Sequence, residues 1–440
     1  MENLPKKTML DNFFMLFFGI ICIIIFILFS YEVYLTKTVA IMILIIDIYA
    51  TIKYRKNIML FIVFFMILYF DYSVIITKYL FYTEDFGSLY AQIINHDTMY
   101  IGILSLLIMH FVTMITLNIS FKKKHSDQIL QEQKNVEKNK LRNTIAIIMI
   151  ILLAIIVIDN KIFNIFNINN RITEYAIILF IFSFYYFRDN KKIRFVLFLI
   201  MVLDVFVSIK NGERVGILQI ILAYAFICYE KKINCKKILI LFAVGIILFT
   251  VFGLYGDALE AGYSYVESFE NLTADKVINT FLNRKLSLDT SYSAYFTGLT
   301  FIDLVDHVSG FDERINNFVE YFTKYTFLGN GSGYQELPKI SREYYVHYYG
   351  GYINTYFYYW LKWYGVALIG IVFGEYLKVL KKNANNNTFF KLFSIYIVST
   401  LPRMYLYNPT PMFRGLIIFI IVYVIMYGLP IGKNKKERRF

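Results

Sequence analysis

The sequence predicts an all-α, polytopic membrane protein with about twelve transmembrane helices and one large helical extracytoplasmic loop. Hydrophobic residues make up 58% of the 440 positions, and mean hydropathy is +0.53. The apolar residues form long runs instead of amphipathic stripes. Backbone amides inside hydrocarbon must be satisfied within their own segment, so these runs have to be helices, and about twenty apolar residues cross a bilayer.

The apolar runs predict the individual spans. Several runs are shorter than a full crossing, so flanking Tyr, Asn and Lys residues should complete them at the level of the lipid headgroups. No small-residue cleavage site follows the first run, so we expect it to be a span and not a signal peptide. The predicted spans cover residues 13–30, 38–52, 58–77, 99–119, 144–158, 174–187, 195–209, 215–229, 238–255, 352–377, 390–407 and 413–430.

The distribution of Lys and Arg predicts the orientation of the spans. Segments assigned to the cytoplasm hold 29 of the 45 cations, and the largest group lies between Lys122 and Arg142. This alternation follows the positive-inside rule and puts both termini in the cytoplasm. The net charge of +13 then reflects cytoplasmic turns that contact anionic lipid, and we expect no nucleic-acid partner.

Cysteine usage and missing motifs exclude several function classes. Cys22 and Cys228 fall in predicted spans and Cys235 in an inner turn, so the sequence offers no outward-facing pair for a disulfide. It has no CxxC or His-rich metal spacing, no P-loop glycine pattern and no internal repeat. We therefore expect no metal and no cofactor.

One outer segment is much longer than the others. Residues 256–351 form a 96-residue connection, which is too long for a structureless loop without a function. The sequence is therefore divided into residues 1–255 with nine spans, the loop 256–351, and residues 352–440 with three spans and a basic cytoplasmic tail.

The long segment is expected to form helices on the outer face. Thr273 can cap a first helix, whose apolar residues at 277, 278, 281 and 282 share one side. Thr300 can cap a second helix that ends at Gly310, and a third runs from Asp312 to Gly329. Their apolar faces should rest on the membrane domain or the interface.

The same segment is acidic, with 13 Asp and Glu against 7 Lys and Arg. An anion must therefore be held by particular cations, and arginine suits a diphosphate because its planar fork donates two parallel hydrogen bonds. The candidates are the arginines on the outer side: Arg214, Arg284, Arg314, Arg342, Arg403 and Arg414.

Three outer segments carry a resemblance to one family. The first is NGERVGILQIILAY at residues 211–224, and the second is FLGNGSGY at 327–334 followed by GGYINTYFYYWLKWYGVALIG at 350–370. The third is LPRMYLYNPTPMFRG at residues 401–415. In order and sidedness they resemble bacterial O-antigen and capsular polysaccharide repeat-unit polymerases of the Wzy type, which are related to O-antigen ligases. The resemblance covers residues 200–430.

The resemblance implies metal-independent glycosyl transfer at the outer face of the bacterial cytoplasmic membrane. The donor would be a growing glycan on undecaprenyl diphosphate, and the acceptor a sugar hydroxyl of a second lipid-linked repeat unit. Further partners would be membrane lipid and a chain-length regulator protein. Arginines that bind the leaving diphosphate more tightly as its charge develops would lower the barrier, and a base must orient the acceptor hydroxyl.

The resemblance also implies catalytic residues. Arg214 matches the family arginine at the outer end of span eight. Independently of the resemblance, Glu213, Asp257 and Glu260 are alternative outer carboxylates that could orient the acceptor. The related ligases have a histidine directly before the asparagine of the next motif, whereas here Ile353 precedes Asn354. His347 lies six residues upstream and is our candidate base, because an imidazole titrates near neutrality.

The other candidates are substrate-binding residues. Arg403 and Arg414 flank three prolines that are expected to break helix continuity and expose a cavity-lining turn, and we also place Arg342 and Arg284 of the long segment in this group. Aromatic rings stack on sugars but also form the interfacial belt. The proposed sugar contacts are Asn354, Tyr348 and Tyr352.

Asp47 and Asp204 stand in otherwise apolar predicted spans. A charge there is unfavourable, so Asp47 and Asp204 are functional candidates. For Asp204 a site role and an interhelical hydrogen bond both remain open.

Two alternative functions remain open at this point. A lipid-linked oligosaccharide flippase or another transporter would have a similar number of spans, but would more typically carry intramembrane charges along a central path. A ligase that transfers finished glycan to another acceptor would share the motifs.

Overall fold

The structure, a computed structural model, describes residues 33–80, 96–119, 140–158, 170–210, 215–229, 234–283, 289–329, 333–347, 350–381 and 387–428. Within these ranges the secondary structure is helical, with no strand. The predicted first span lies outside the described residues, as do four candidate site residues: Glu213, Arg214, Arg284 and Tyr348.

Every predicted span from residue 38 onward coincides with a helix. The helices are α1 (Val33–Lys53), α2 (Ile58–Val74, continued by a π-helical turn Ile75–Leu80), α3 (His96–Asn118), α4 (Lys140–Ile158), α5 (Asn170–Tyr186), α6 (Lys191–Lys210), α7 (Val215–Tyr229), α8 (Cys235–Glu260), α9 (Tyr265–Glu270), α10 (Ala274–Asn283), α11 (Asp289–His307), α12 (Phe311–Glu320, continued by Tyr321–Tyr325 and Thr326–Leu328), α13 (Leu337–Arg342), α14 (Ile353–Lys381), α15 (Thr388–Leu406) and α16 (Thr410–Tyr427).

Seven of the described helices are long and apolar enough to cross a membrane: α1, α2 with its π-helical turn, α3, α4, α8, α14 and α16. Helices α5 and α7 are apolar but shorter. The all-α class is confirmed, and the long apolar helices indicate a membrane protein. The predicted count of twelve spans is not confirmed.

The chain divides into two compact units. The first contains Met1–Ser126, Lys232–Ala384 and Thr400–Pro411, and the second contains Asp127–Lys231, Asn385–Ser399 and Met412–Phe440. In the first unit α3 packs along α14, and α1 packs against α2 and α3. In the second unit α4 packs on α5, and both α5 and α6 pack on α7.

Glycines bring α3 and α14 close together in the first unit. A Cβ atom added at Gly370 would lie 2.8 Å from the Cβ of Val112, and one added at Gly374 would lie 2.6 Å from the Cβ of Thr116. Only a residue without a side chain allows this approach, as at small-residue contacts between membrane helices. Thr113 adds a hydrogen bond of 3.1 Å to the carbonyl of Gly370.

The segment predicted as an outer loop is helical. Helix α8 continues to Glu260, past the predicted end of the span at residue 255, and the large outer loop as such is not confirmed. Thr273 caps α10 as predicted, because its Oγ1 accepts a hydrogen bond of 3.3 Å from the backbone N–H of Lys276. The third predicted helix is α12 with its extension, which ends before Gly329 at a φ of +67°.

The prediction that Thr300 caps a helix is wrong. Thr300 lies inside α11, where its hydroxyl donates to the carbonyl of Thr297 and is 2.6 Å from the hydroxyl of Ser341. A threonine can satisfy its hydroxyl on the preceding turn, so it need not mark a helix start. The apolar face of α11 rests on long apolar helices as predicted, because Phe301 and Ile302 are fully buried and the helix packs against α2, α3 and α14.

The expected break at the three C-terminal prolines is partly wrong. Helix α15 runs through Pro402 to Leu406 without interruption. Pro409 lies in the turn that follows, and Pro411 is in the first turn of α16, where a missing N–H leaves no hydrogen bond unmade.

Candidate functional site

Two of the segments that carry the family resemblance contact each other in the first unit. The backbone N–H of Gly351, just before α14, donates a hydrogen bond of 3.0 Å to the carbonyl of Leu406, the last residue of α15. One turn into α14, Tyr356 donates its hydroxyl to the carbonyl of Tyr407 over 2.8 Å. The turn after α15 is therefore fixed against the start of α14.

Two consecutive glycines make this contact possible. Gly350 and Gly351 have φ values of +124° and +154°, in a region that L-residues rarely adopt. A Cβ atom at Gly350 would lie 3.3 Å from the carbonyl oxygen of Leu406, and one at Gly351 would lie 2.4 Å from a ring carbon of Phe301. Glycine is required at Gly351 by both conformation and space.

A buried aromatic group supports the same region. The oxygen Oδ1 of Asn317 accepts hydrogen bonds from the indole N–H of Trp360 at 2.8 Å and from the hydroxyl of Tyr334 at 3.1 Å. The ring of Tyr321 lies 4.9 Å from that of Trp360 between centroids, and its hydroxyl is 3.4 Å from that of Thr410. These contacts join α12, α14 and the start of α16.

His347 lies in the non-helical segment that leads from α13 to α14. Its side chain is 7% exposed and its ring packs edge-on to Phe301, with 6.4 Å between centroids. It is three residues from Gly350, so it lies near the turn that follows α15. The role of His347 as a base stays a prediction.

A carboxylate is buried beside this segment. Asp303 of α11 accepts hydrogen bonds from the hydroxyl of Thr98 over 2.9 Å and from the hydroxyl of Tyr345. Burial of the phenol and its bond to Asp303 raise the pKa of Tyr345. These contacts anchor the segment on α3 and α11.

The candidate arginines have different surroundings. Arg314 is 6% exposed and donates a hydrogen bond of 3.1 Å to the carbonyl of Tyr359. Arg342 is exposed at the end of α13, and Arg403 is half-buried in the last turn of α15, both in the first unit. Arg414 belongs to the second unit, where its guanidinium lies 5.2 Å from the centroid of Tyr175. That these arginines share one site stays a prediction.

Two proposed sugar contacts face the interior of the first unit. Asn354 is fully buried and donates from Nδ2 to the hydroxyl of Ser105 over 2.7 Å. Tyr352 is fully buried as well and donates to the carbonyl of Phe70 over 3.2 Å. A glycan could reach these side chains only if the bundle opened, and their assignment as substrate contacts stays a prediction.

The structure brings together four ionisable side chains that the sequence analysis largely missed. Asp47 of α1, Asp71 of α2, His110 of α3 and Tyr405 of α15 form what we call the interior polar cluster. A carboxylate oxygen of Asp47, a carboxylate oxygen of Asp71 and a ring nitrogen of His110 all lie within 4.8 Å of one another. Asp47 had been identified from its apolar span, and the same criterion would have found Asp71 and His110.

Hydrogen bonds link the members of the interior polar cluster. Nδ1 of His110 is 2.8 Å from Oδ1 of Asp47, and Nε2 of His110 is 2.8 Å from the hydroxyl of Tyr405. That hydroxyl lies 2.9 Å from both carboxylate oxygens of Asp71. The nitrogen and oxygen atoms are of the types that bind protons or a divalent metal.

A small cavity lies beside the interior polar cluster. Its lining includes Asp47, His110 and Thr113, together with the apolar side chains of Phe64 and Phe373. It has room for about one water molecule or small cation.

Comparison with known proteins adds no family: no protein-family model matches this chain, and no curated protein and no solved structure was found to match it.

Proposed function

We propose that this protein is a polysaccharide polymerase that joins undecaprenyl-diphosphate-linked oligosaccharide repeat units at the outer face of a bacterial cytoplasmic membrane. The observation that supports the proposal best is the contact of Gly351 and Tyr356 with the turn Leu406–Tyr407. These segments lie about fifty residues apart in the sequence, and the resemblance requires them to build one site.

Arg403 is the described arginine best suited to the donor diphosphate. It lies in the last turn of α15, and its carbonyl accepts the N–H groups of Tyr407 and Asn408 at 3.1 and 3.2 Å. The backbone of Arg403 is therefore hydrogen-bonded to the turn that contacts α14. The guanidinium of an arginine at this position can donate to two oxygens of a diphosphate as the negative charge of the leaving group grows.

The reaction needs little covalent work from the protein. The acceptor hydroxyl oxygen bonds to the anomeric carbon of the donor sugar, while the bond from that carbon to the diphosphate oxygen breaks and its electron pair leaves with undecaprenyl diphosphate. In our proposal His347 takes the hydroxyl proton, and Arg214 with Arg403 stabilises the departing charge. The polymer then grows by one repeat unit for each transfer.

The proposal requires the segment between α8 and α14 to face outward and both termini to be cytoplasmic. Val346 and Phe327 are exposed on this segment. A cysteine at either position should react with a membrane-impermeant maleimide in intact cells. A cysteine at the exposed Lys191, at the start of α6 on the side assigned to the cytoplasm, should react only after the membrane is opened.

The decisive experiment mixes purified protein with defined lipid-linked repeat units and follows product size. We expect a ladder of polymers, which Arg403→Gln abolishes and Arg188→Gln leaves intact. Arg188 is an exposed arginine in a connection assigned to the cytoplasm. Repeat units that remain single with folded protein would overturn the proposal, and transfer of preformed polymer to another acceptor would indicate a ligase.

A second candidate is a lipid-linked oligosaccharide flippase or another transporter. The interior polar cluster favours this alternative, because transporters carry ionisable side chains inside the membrane. Deletion of the gene separates the two functions. Loss of a polymerase leaves single repeat units at the outer face, whereas loss of a flippase leaves none there.

A further inference from the structure

The interior polar cluster is a continuous row of hydrogen bonds across four helices. It runs from Asp47 through His110 and Tyr405 to Asp71, with links of 2.8, 2.8 and 2.9 Å. Asp47 is 1% exposed, His110 is 6% exposed, and Asp71 and Tyr405 are fully buried. The donors and acceptors along these hydrogen bonds determine how many protons the four side chains can hold.

The donors and acceptors can be counted. The hydroxyl of Tyr405 has one proton, which it donates to the carboxylate of Asp71, so its oxygen accepts the proton on Nε2 of His110. The third link, from Nδ1 of His110 to Asp47, holds one proton, bonded either to the nitrogen or to the oxygen. In both arrangements every link is satisfied and the row carries a net charge of −1.

That charge has no other partner in the part of the chain that the structure describes. His110 is the one basic side chain paired there with Asp47 or Asp71. Other titratable groups near the row are Tyr352, whose ring packs 5.1 Å from that of Tyr405, and Tyr295, and both are neutral near pH 7. The cavity wall adds apolar side chains, and an uncompensated charge buried among them is strongly unfavourable.

One atom of the row is available for a further cation. Oδ2 of Asp47 is buried and accepts no hydrogen bond from the described residues, and Asp47 lines the small cavity beside the cluster. The carboxyl groups of Asp47 and Asp71 also lie within hydrogen-bonding contact of each other, so a proton on Asp47 can be shared with Asp71. The neighbouring threonine hydroxyls donate their protons to backbone carbonyls and not to Oδ2 of Asp47. Thr113 donates to the carbonyl of Gly370, and Thr51 donates to the carbonyl of Asp47. A proton on Asp47 would bring the row to zero net charge.

We propose that the interior polar cluster is a proton-binding site, which takes up one exchangeable proton on Asp47 in addition to those that its hydrogen bonds require. The site belongs to the interior of the first unit and is independent of the proposed polymerase chemistry. It makes the helices that carry it, α1, α2, α3 and α15, sensitive to the protonation state of Asp47.

Infrared spectroscopy of the full-length protein in lipid nanodiscs tests the proposal directly. A buried, protonated carboxylic acid gives a C=O stretching band at higher frequency than an ionised carboxylate. Without the extra proton, either Asp47 or Nδ1 of His110 carries the proton of their link, but not both. We therefore expect one such acid band together with the ring bands of a doubly protonated imidazole, both persisting to neutral pH. Asp47→Asn should remove the acid band. The matched control Asp204→Asn changes a half-buried aspartate of the second unit and should leave the band in place.

The proposal is overturned if either kind of band is absent, or if the acid band survives Asp47→Asn in folded protein. Should that variant fail to fold, Tyr405→Phe offers a second measurement. It removes the acceptor of the Nε2 proton of His110 but leaves Asp47 in place, so the band must shift in frequency. An unchanged band in Tyr405→Phe also overturns the proposal.

A divalent metal is the competing occupant, because two carboxylates and a neutral imidazole balance two positive charges. Protein incubated with Zn²⁺ or Mn²⁺ and then freed of excess metal should retain no more than the Asp47→Asn variant retains. One equivalent that is held by the native protein and lost in Asp47→Asn would assign the site to a metal instead of a proton.

Discussion

Gly351 donates its backbone N–H to the carbonyl of Leu406 over 3.0 Å. This single bond joins the start of α14 to the end of α15, which are connected in sequence by all of α14 and the segment that follows it. It also closes the C-terminal end of α15, where carbonyls lack partners within the helix. The candidate site depends on this junction, because His347 and Arg403 lie on its two sides.

Gly351→Ala should destabilise the protein more than a glycine substitution without a steric conflict. The new Cβ would meet Phe301 at 2.4 Å, in addition to an unfavourable φ of +154°. Gly262→Ala is the matched control, since its φ is +91° but no atom lies within 4 Å. We expect about 1 kcal/mol for the control and a further 1–3 kcal/mol, roughly, for Gly351→Ala. Thermal unfolding in detergent measures both, and equal losses would contradict the clash.

Arg403→Lys should slow polymer formation almost as much as Arg403→Gln. Lysine keeps the charge but lacks the planar fork that donates two hydrogen bonds to a diphosphate. Loss of such a stabilising donor lowers a rate by about 10²-fold or more. Polymer length on defined lipid-linked units is the measurement, with Arg188→Lys as control. Wild-type rates in Arg403→Lys would show that charge alone is sufficient.

Arg214→Ala is expected to abolish polymer formation while the protein stays inserted and abundant. The reason is its match to the family arginine in the segment NGERVGILQIILAY, since its position lies outside the described residues. Immunoblotting of membranes measures abundance, and gel analysis of cell-surface glycan measures chain length. Wild-type chain lengths in this variant would remove Arg214 from the mechanism.

His347→Gln should change the pH profile of the reaction. A general base must be neutral to accept the hydroxyl proton, so the native rate should fall at acidic pH, where the imidazole becomes protonated. The variant should be slower and should lack this acidic limb. His307→Gln, at an exposed position in the last turn of α11, is the control. A parallel profile in native protein and His347→Gln would exclude His347 as the base.

The helical class followed from the sequence because an apolar run in a membrane has few structural options. Predicted spans from residue 38 onward match helices for that reason. Helix caps were predicted less reliably. The cap at Thr273 was predicted correctly, but the cap at Thr300 was not, because a threonine hydroxyl can equally well donate to a carbonyl one turn earlier. The burial of α11 depends on its neighbours, with the side chain of Leu299 against Gly102 of α3, and its own sequence does not encode that partner.

The candidate site was predictable only where one residue carries its own signal. Asp47 was such a residue, as a carboxylate in an apolar span. Asp71 and His110 carry the same signal, but the pairing was not predictable. The hydrogen bond between Asp47 and His110 joins residues 63 positions apart, and that between Asp71 and Tyr405 joins residues 334 positions apart. Such pairings arise from packing, and no local sequence pattern predicts them.

Asn317 gives a test of the aromatic group that supports the site. Asn317→Ala would leave the indole N–H of Trp360 and the hydroxyl of Tyr334 without their shared acceptor. Each buried, unsatisfied donor costs about 1–3 kcal/mol, so we expect a loss of roughly 2–5 kcal/mol in the free energy of unfolding. Tyr334→Phe removes one donor and keeps the ring, and should lose less.

The two changes should not be additive. The double variant has no hydroxyl at position 334 that Asn317→Ala could leave without an acceptor. The double variant should therefore lose less free energy of unfolding than the two single variants lose together, by about 1 kcal/mol. Tyr344→Phe, which removes an exposed hydroxyl, is the control and should combine additively with Asn317→Ala. Unfolding in detergent followed by tryptophan fluorescence gives all the values, because Trp360 reports on the group itself. Additive losses for Asn317→Ala and Tyr334→Phe would mean that the hydrogen bond between them contributes nothing to the stability of this region.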